Sequence, residues 1–287
     1  MIIPTLRNWL ETIKALVTNP RALASFAVLY LLLLATLYGF ISTREATVWQ
    51  VIVTLFFLVL IPAEFFILQA TIVRSTQESN FHWPQILRDS IKLAVVTIPV
   101  ILLGYVIFVL LNKWQAHYPI KSAPLPVWPS PKILTAPSQA VPQPLHWPTL
   151  LFATARSLLF GVALPLASIH LWIEVAARDF HSVIGGGALG VLKRLGRVMA
   201  RAFTAASVFA YALGLVVFAL IPYALLFVNF SAKGTKTDFA LFVARLLLVF
   251  AFTLVGWIVT VSTLARMNGT TESVSRSEIG VEAEAPA

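Results

Sequence analysis

The chain has 287 residues, of which 59% are hydrophobic and only 11% charged, and its mean hydropathy is +0.85. That balance excludes an ordinary water-soluble globular domain. A net charge of +9 would suit a nucleic-acid binder, but cations in a membrane protein gather on one side of the bilayer for topological reasons, so their placement along the chain decides between the two. The absence of cysteine removes disulfides and thiolate metal sites from consideration.

Residues 1–23 open the chain as an amphipathic segment. In "TLRNWLETIKALVTNP" the residues Leu6, Trp9, Leu10, Ile13, Leu16 and Val17 recur at helical spacing, with Arg7, Glu11 and Lys14 elsewhere on the wheel and Pro20 at the end. Six apolar runs follow, near 24–41, 48–73, 93–111, 149–177, 203–230 and 239–265. Each is about 18 residues or longer, enough to cross the roughly 30 Å hydrocarbon core as a helix. The expected fold is therefore an all-α integral membrane domain over 24–266, with six transmembrane helices in three hairpins and cytoplasmic amphipathic helices before them. The first run reads as a retained anchor, because more than twenty residues precede it and no small-x-small cleavage site follows.

Cations set the expected orientation. Arg7, Lys14, Arg21, Arg74, Arg88, Lys92, Arg178, Lys193, Arg194, Arg197, Arg201, Arg266 and Arg276 fall on one side of the six runs. Only Arg44, Lys113, Lys121, Lys132, Lys233 and Lys236 fall on the other. Both termini are thus expected in the cytoplasm, and the short loops and charge asymmetry suit a bacterial inner membrane.

The longest external loop, 112–148, is rich in proline and lacks glycine, which favours stiff polyproline-like segments. It is a spacer or a docking surface for another membrane or periplasmic protein. The polar, acidic stretch 267–287 has the composition of a disordered cytoplasmic tail.

Between the fourth and fifth runs lies "FHSVIGGGALGVLKRLGRVMAR", in which Gly185, Gly187 and Gly190 carry the spacing of a dinucleotide-binding turn. Such a turn needs a βαβ unit, and the roughly 25 residues between two spans leave no room for one. No Lys-Ser/Thr follows to make a phosphate loop. Over 188–201 the apolar Val191, Leu192, Leu195, Val198 and Met199 oppose Lys193, Arg194, Arg197 and Arg201, so this is expected to be an interfacial helix touching anionic headgroups. Neither nucleotide nor nucleic acid is expected as a partner; membrane lipids are.

Ionisable groups inside spans mark candidate sites. Glu64 lies ten residues before Arg74, about 15 Å along a helix and two positions after Pro62. A carboxyl at that depth can carry a proton. His170 stands at a similar depth in the fourth run, and Glu174 follows one turn later on the same face, four residues before Arg178, the order that favours an ion pair. Pro62 and Pro165 occupy similar depths, and broken helices at matching positions point towards a transporter's binding region. Arg156 and Arg245 sit near outer span ends in the similar stretches "LFATARSLLF" and "LFVARLLLVF", which suggest an internal repeat and cations that snorkel to headgroups.

No His-Glu-x-x-His, Gly-x-Ser-x-Gly, cysteine nucleophile or paired intramembrane aspartate is present, so no catalytic residue, metal or cofactor is expected. The run "ALPLASIHLWIEVAARD" leading into "GALGVLKRLGRVMARAF" resembles six-helix bacterial inner-membrane families related to the membrane domain of glycerophosphodiester phosphodiesterases. The resemblance implies the helical membrane architecture and no catalysis, since the soluble catalytic domain of those enzymes is missing. Two functions follow as expectations. The first is a non-enzymatic membrane protein organising lipid or binding a partner through its basic face. The second is a secondary transporter or proton-coupled permease centred on Glu64 and His170.

Overall fold

The computed structural model describes residues 2–43, 47–76, 82–118, 147–177, 196–228 and 235–282, with the backbone alone at 2, 235 and 269–282. All regular structure among these residues is helical. Helix α1 spans Ile2–Thr18, α2 Pro20–Ser42, α3 Val48–Ser75, α4 Trp83–Ala116, α5 Trp147–Ala177, α6 Ala205–Phe227 and α7 Thr235–Glu282. A short helical stretch, 196–202, precedes α6. Six of these helices, α2 to α7, are long and apolar enough to cross a bilayer, and they fall where the six apolar runs predict them. The chain is a multi-pass membrane protein.

Local chemistry sets the helix starts. Asn19 caps α2 by accepting from the Ala22 N–H at 3.2 Å, with Pro20 in the first turn where its missing N–H costs nothing. Thr47 and Gln50 close a reciprocal capping box on α3, and Thr204 caps α6 through the Ser207 N–H.

Proline acts differently in different helices. Pro62 lies within a continuous α3, so the expected break there does not occur. In α5, a π-helical turn over Leu159–Ala163 ends two residues before Pro165, and in α6 another over Val216–Leu220 ends two residues before Pro222. A wider turn of this kind rearranges the backbone bonding that proline's missing N–H and bulky ring disturb. At its far end α7 runs on to Glu282, through most of the stretch whose composition suggested a tail without structure. Extending an existing helix adds one hydrogen bond per residue fixed, and no proline intervenes before Pro286.

The chain divides into two compact units, Met1–Ile98 with Leu166–Ala287, and Pro99–Pro165. In the larger unit α2 packs along α3 and α6 along α7, while α1 lies against α2, α6 and α7. The α6–α7 crossing is close because Gly214 and Gly256 lie in it. A Cβ on Gly214 would stand 2.0 Å from Thr260 Oγ1, and one on Gly256 would stand 3.0 Å from the Phe218 backbone nitrogen. Small residues that admit a neighbouring backbone are the usual means of tight helix association in lipid.

In the smaller unit, the Arg156 guanidinium binds Asn112 at 2.6 Å and Gln115, and stands 5.7 Å from the centroid of the Phe108 ring. Arg156 therefore staples α5 to the end of α4. Arg245 donates to the Val228 carbonyl at 3.2 Å, at the end of α6. In both similar stretches the arginine bonds the end of the preceding helix, a shared role beside the snorkelling the sequence suggested.

Candidate functional site

Buried polar groups of the larger unit lie both at the Arg74 end of α3 and deeper in the helices, around Glu64 and His170. Asp89, 3% exposed, takes Arg74 Nη1 at 3.2 Å and Lys92 Nζ at 3.0 Å, while Arg74 Nη2 donates to Gln85 Oε1 at 2.7 Å. Two cations around one carboxylate compensate the desolvation each would otherwise carry. The group joins the end of α3 to the start of α4. Its cations are visible in the sequence as topological markers; Asp89 gives no signal, because its role depends on which way α4 is turned.

Glu64 is buried, 6% exposed, on α3. Its Oε1 accepts from the Thr36 hydroxyl of α2 at 3.1 Å, and its Oε2 has no hydrogen-bond partner. His170 is also buried, on α5. Its Nδ1 lies 3.0 Å from the Leu166 carbonyl, which can only accept, so Nδ1 carries the proton. In the neutral ring Nε2 is then an acceptor, and the Ser207 hydroxyl 3.2 Å away on α6 donates to it. Ser207 Oγ lies 2.9 Å from Thr204 Oγ1.

The two predicted intramembrane residues thus have separate partners. Their helices do meet nearby: Phe65 and Phe66 pack edge-on to Trp172, with centroids 6.0 and 6.3 Å away. Trp172 donates to Thr97 Oγ1 at 2.8 Å, which ties α5 to α4. Between α3 and α5 the contact is aromatic; Glu64 bonds to α2 and His170 to α6. Of the two prolines placed with them, Pro62 is exposed within an intact helix and Pro165 follows the α5 π-turn.

The basic face is described in part. Lys193 and Arg194 lie outside the described residues, as do Arg178 and the three glycines of the dinucleotide-like turn. Arg197 is exposed. Arg201 pairs with Glu174 at 3.4 Å, which ties α5 to the stretch before α6; the pair expected between Glu174 and Arg178 falls on Arg178, outside the described residues. Arg201, placed by sequence among the headgroup contacts, is at least partly engaged inside the protein.

A cavity of about 210 Å³ opens between α2, α3, α6 and α7, walled by Tyr30, Leu33, Phe65, Phe218 and Trp257. Trp257 Nε1 donates to Gln69 Oε1 at 3.0 Å, which occupies the amide oxygen beside it. Among the described residues no group of three or more His, Asp or Glu side chains is placed to hold a metal ion. Set against known proteins, the chain matches no protein-family model, no curated protein and no solved structure.

Proposed function

We propose that the chain is a non-enzymatic multi-pass membrane protein that gathers anionic lipid around a basic cytoplasmic face. The observation that carries this reading is how charge is distributed at the Arg74 end. The acids described there are held by cations of the same protein: Glu11 by Arg7, Asp89 by Arg74 and Lys92, Glu174 by Arg201. Lys14, Arg21, Arg88 and Arg197 are exposed. Where the described acids are taken up by the protein's own cations and further cations stay exposed, anionic headgroups are attracted, at about 1 kcal/mol per cation near a charged surface.

The test is the lipid preference of the reconstituted protein. With spin-labelled lipids, phosphatidylglycerol should be enriched over phosphatidylcholine in the motionally restricted shell. Replacing Lys193, Arg194 and Arg197 by Gln, while leaving Arg201 to its pair with Glu174, should reduce that enrichment. An enrichment unchanged by the triple substitution contradicts the reading, and binding of a protein partner by the same face would be the competing account.

A second reading, proton-coupled transport, is favoured by one observation: the Glu64 Oε2 atom is buried and has no partner. A buried carboxylate oxygen left bare is costly, and a proton or transported cation relieves it. Proteoliposomes carrying Glu64→Gln would lose a pH-driven flux that the native protein shows; equal flux in both would remove the reading.

A further inference from the structure

Helix α1 presents three faces, and a large part of its apolar stripe is turned away from the protein: Leu16 is buried and Trp9 and Ile13 are half-buried, but the rest is exposed. At about 100° per residue, Thr5, Thr12 and Leu16 share one side of the helix. These three are the buried ones, Thr5 and Thr12 at 3% exposure each. Thr12 Oγ1 lies 3.4 Å from Thr263 Oγ1 of α7 and donates to its own Asn8 carbonyl at 2.8 Å, so a hydroxyl stripe seats α1 on the bundle.

Roughly a third of a turn away lie Ile3, Leu6, Leu10 and Val17. They are left bare, with exposures of 81%, 38%, 65% and 68%. Arg7, Glu11 and Lys14 form the third face, all exposed, with Arg7 and Glu11 paired at 3.0 Å. An amphipathic helix packed on protein through its whole apolar stripe would bury Leu6, Leu10 and Val17 along with Leu16 and leave the threonines outside.

Where α1 sits identifies what covers that stripe. Only Asn19 separates it from α2, a membrane-spanning helix. A small cleft of about 80 Å³ brings Thr12, Leu16 and Asn19 together with Ser75 at the end of α3 and with Ser262 and Arg266 near the end of the α7 span. Helix α1 is therefore level with the ends of three spans, at the boundary between hydrocarbon and headgroups. At that depth the medium beside an apolar stripe is acyl chain, and the medium beside Arg7, Lys14 and the following Arg21 is headgroup and water.

We infer that α1 is a membrane-interface helix, held to the bundle by its threonines and embedded in the lipid boundary by Ile3, Leu6, Leu10 and Val17. It adds a second lipid contact to the reading above, but it rests on the geometry of α1 and its neighbours and not on the 188–201 helix.

Three adjacent positions test it, because the helix places them in three media. The chain has no cysteine, so single nitroxide labels at Leu10→Cys, Glu11→Cys and Thr12→Cys of the full chain report without background. In phosphatidylcholine nanodiscs, Leu10 should be reached severalfold better by oxygen, which partitions into lipid, than by a water-soluble nickel chelate. Glu11 should show the opposite preference, and Thr12 should be shielded from both. Should labelling disturb Thr12, Leu6→Cys and Val17→Cys must repeat the Leu10 pattern.

Adding phosphatidylglycerol probes the cations separately. The Leu10 pattern is expected in either lipid, so it holds or fails independently of the anionic-lipid preference proposed for the basic face. Nickel accessibility at Leu10 and Val17 equal to that at Glu11 would put the stripe in water and overturn the inference. Shielding of both from oxygen and nickel alike would show that protein, a second copy or another chain, covers the stripe, and would overturn it equally.

Discussion

The two halves of helices α3 and α7 differ in what surrounds them. Along α3, no residue of 48–63 is buried, whereas Glu64 and every residue from Leu68 to Val73 are. Along α7, no described residue of 236–253 is buried, whereas nearly every residue from Leu254 to Ala265 is closed to within a few per cent of full burial or is half-covered. The packed halves also hold Gln69, Thr71, Thr260 and Thr263, all at or below 1% exposure. The difference is instructive because both halves are apolar in sequence. In lipid, apolar side chains gain little by leaving hydrocarbon for protein, so packing is set by small residues, close backbones and polar groups that need partners. Where those occur the helices close on one another, and where they do not, the side chains face lipid.

That contrast can be broken most sharply at Asp89. Replacing it with Ala leaves Arg74 and Lys92 without their shared buried carboxylate, and the expected loss is about 3–5 kcal/mol of stability, read as a lowered unfolding midpoint in mixed micelles. A midpoint unchanged by D89A would mean that the cations relax into headgroups at no cost. The packed and open halves can next be compared with one chemistry. Leu264→Ala, at a fully buried position, should cost about 2–5 kcal/mol. Leu58→Ala, at a site 57% exposed, should fall within about 0.5 kcal/mol of the parent. Equal effects would erase the distinction.

The close α6–α7 crossing gives a smaller effect. Gly214→Ala sets a methyl against the buried Thr260 side chain and should destabilise by about 1–3 kcal/mol. Thr260→Ala in the same chain should return part of that loss, since it removes the nearest atom. The smallest expected change comes from Trp172→Phe, which keeps a ring beside Phe65 and Phe66 but removes the bond to Thr97, worth about 1 kcal/mol. A W172F chain as unstable as D89A would move the centre of the packed half from its ion cluster to its aromatic contacts.

Six spans were legible because a contiguous apolar run of sufficient length carries its own evidence, whatever the run packs against. Side-chain partners were not, because they depend on how each helix is rotated about its axis. Glu174 shows the limit: it pairs with Arg201, 27 positions away, and no spacing in the sequence announces that partner. Glu64 stands out in the sequence by its depth and is buried in the structure, yet nothing in its neighbourhood points to Thr36. For α1 the periodicity is legible and the rotation is not: Thr5, Thr12 and Leu16 meet the bundle while Leu6, Leu10 and Val17 are exposed, a choice that spacing alone does not make. Proline was legible as a local disturbance but not in its outcome, which is an intact turn at Pro62 and a π-turn before Pro165 and Pro222.

The reading of a basic cytoplasmic face depends on the cation-rich ends lying on one side of the membrane and the proline-rich loop on the other. Single cysteines at Ser130, Ser182 and Ser277, in a chain that otherwise has none, measure this directly with a membrane-impermeant maleimide on intact cells. Ser130→Cys should label at once, whereas Ser182→Cys and Ser277→Cys should label only after the membrane is opened. Labelling of all three from outside, or protection of Ser130→Cys together with the other two, would contradict the account.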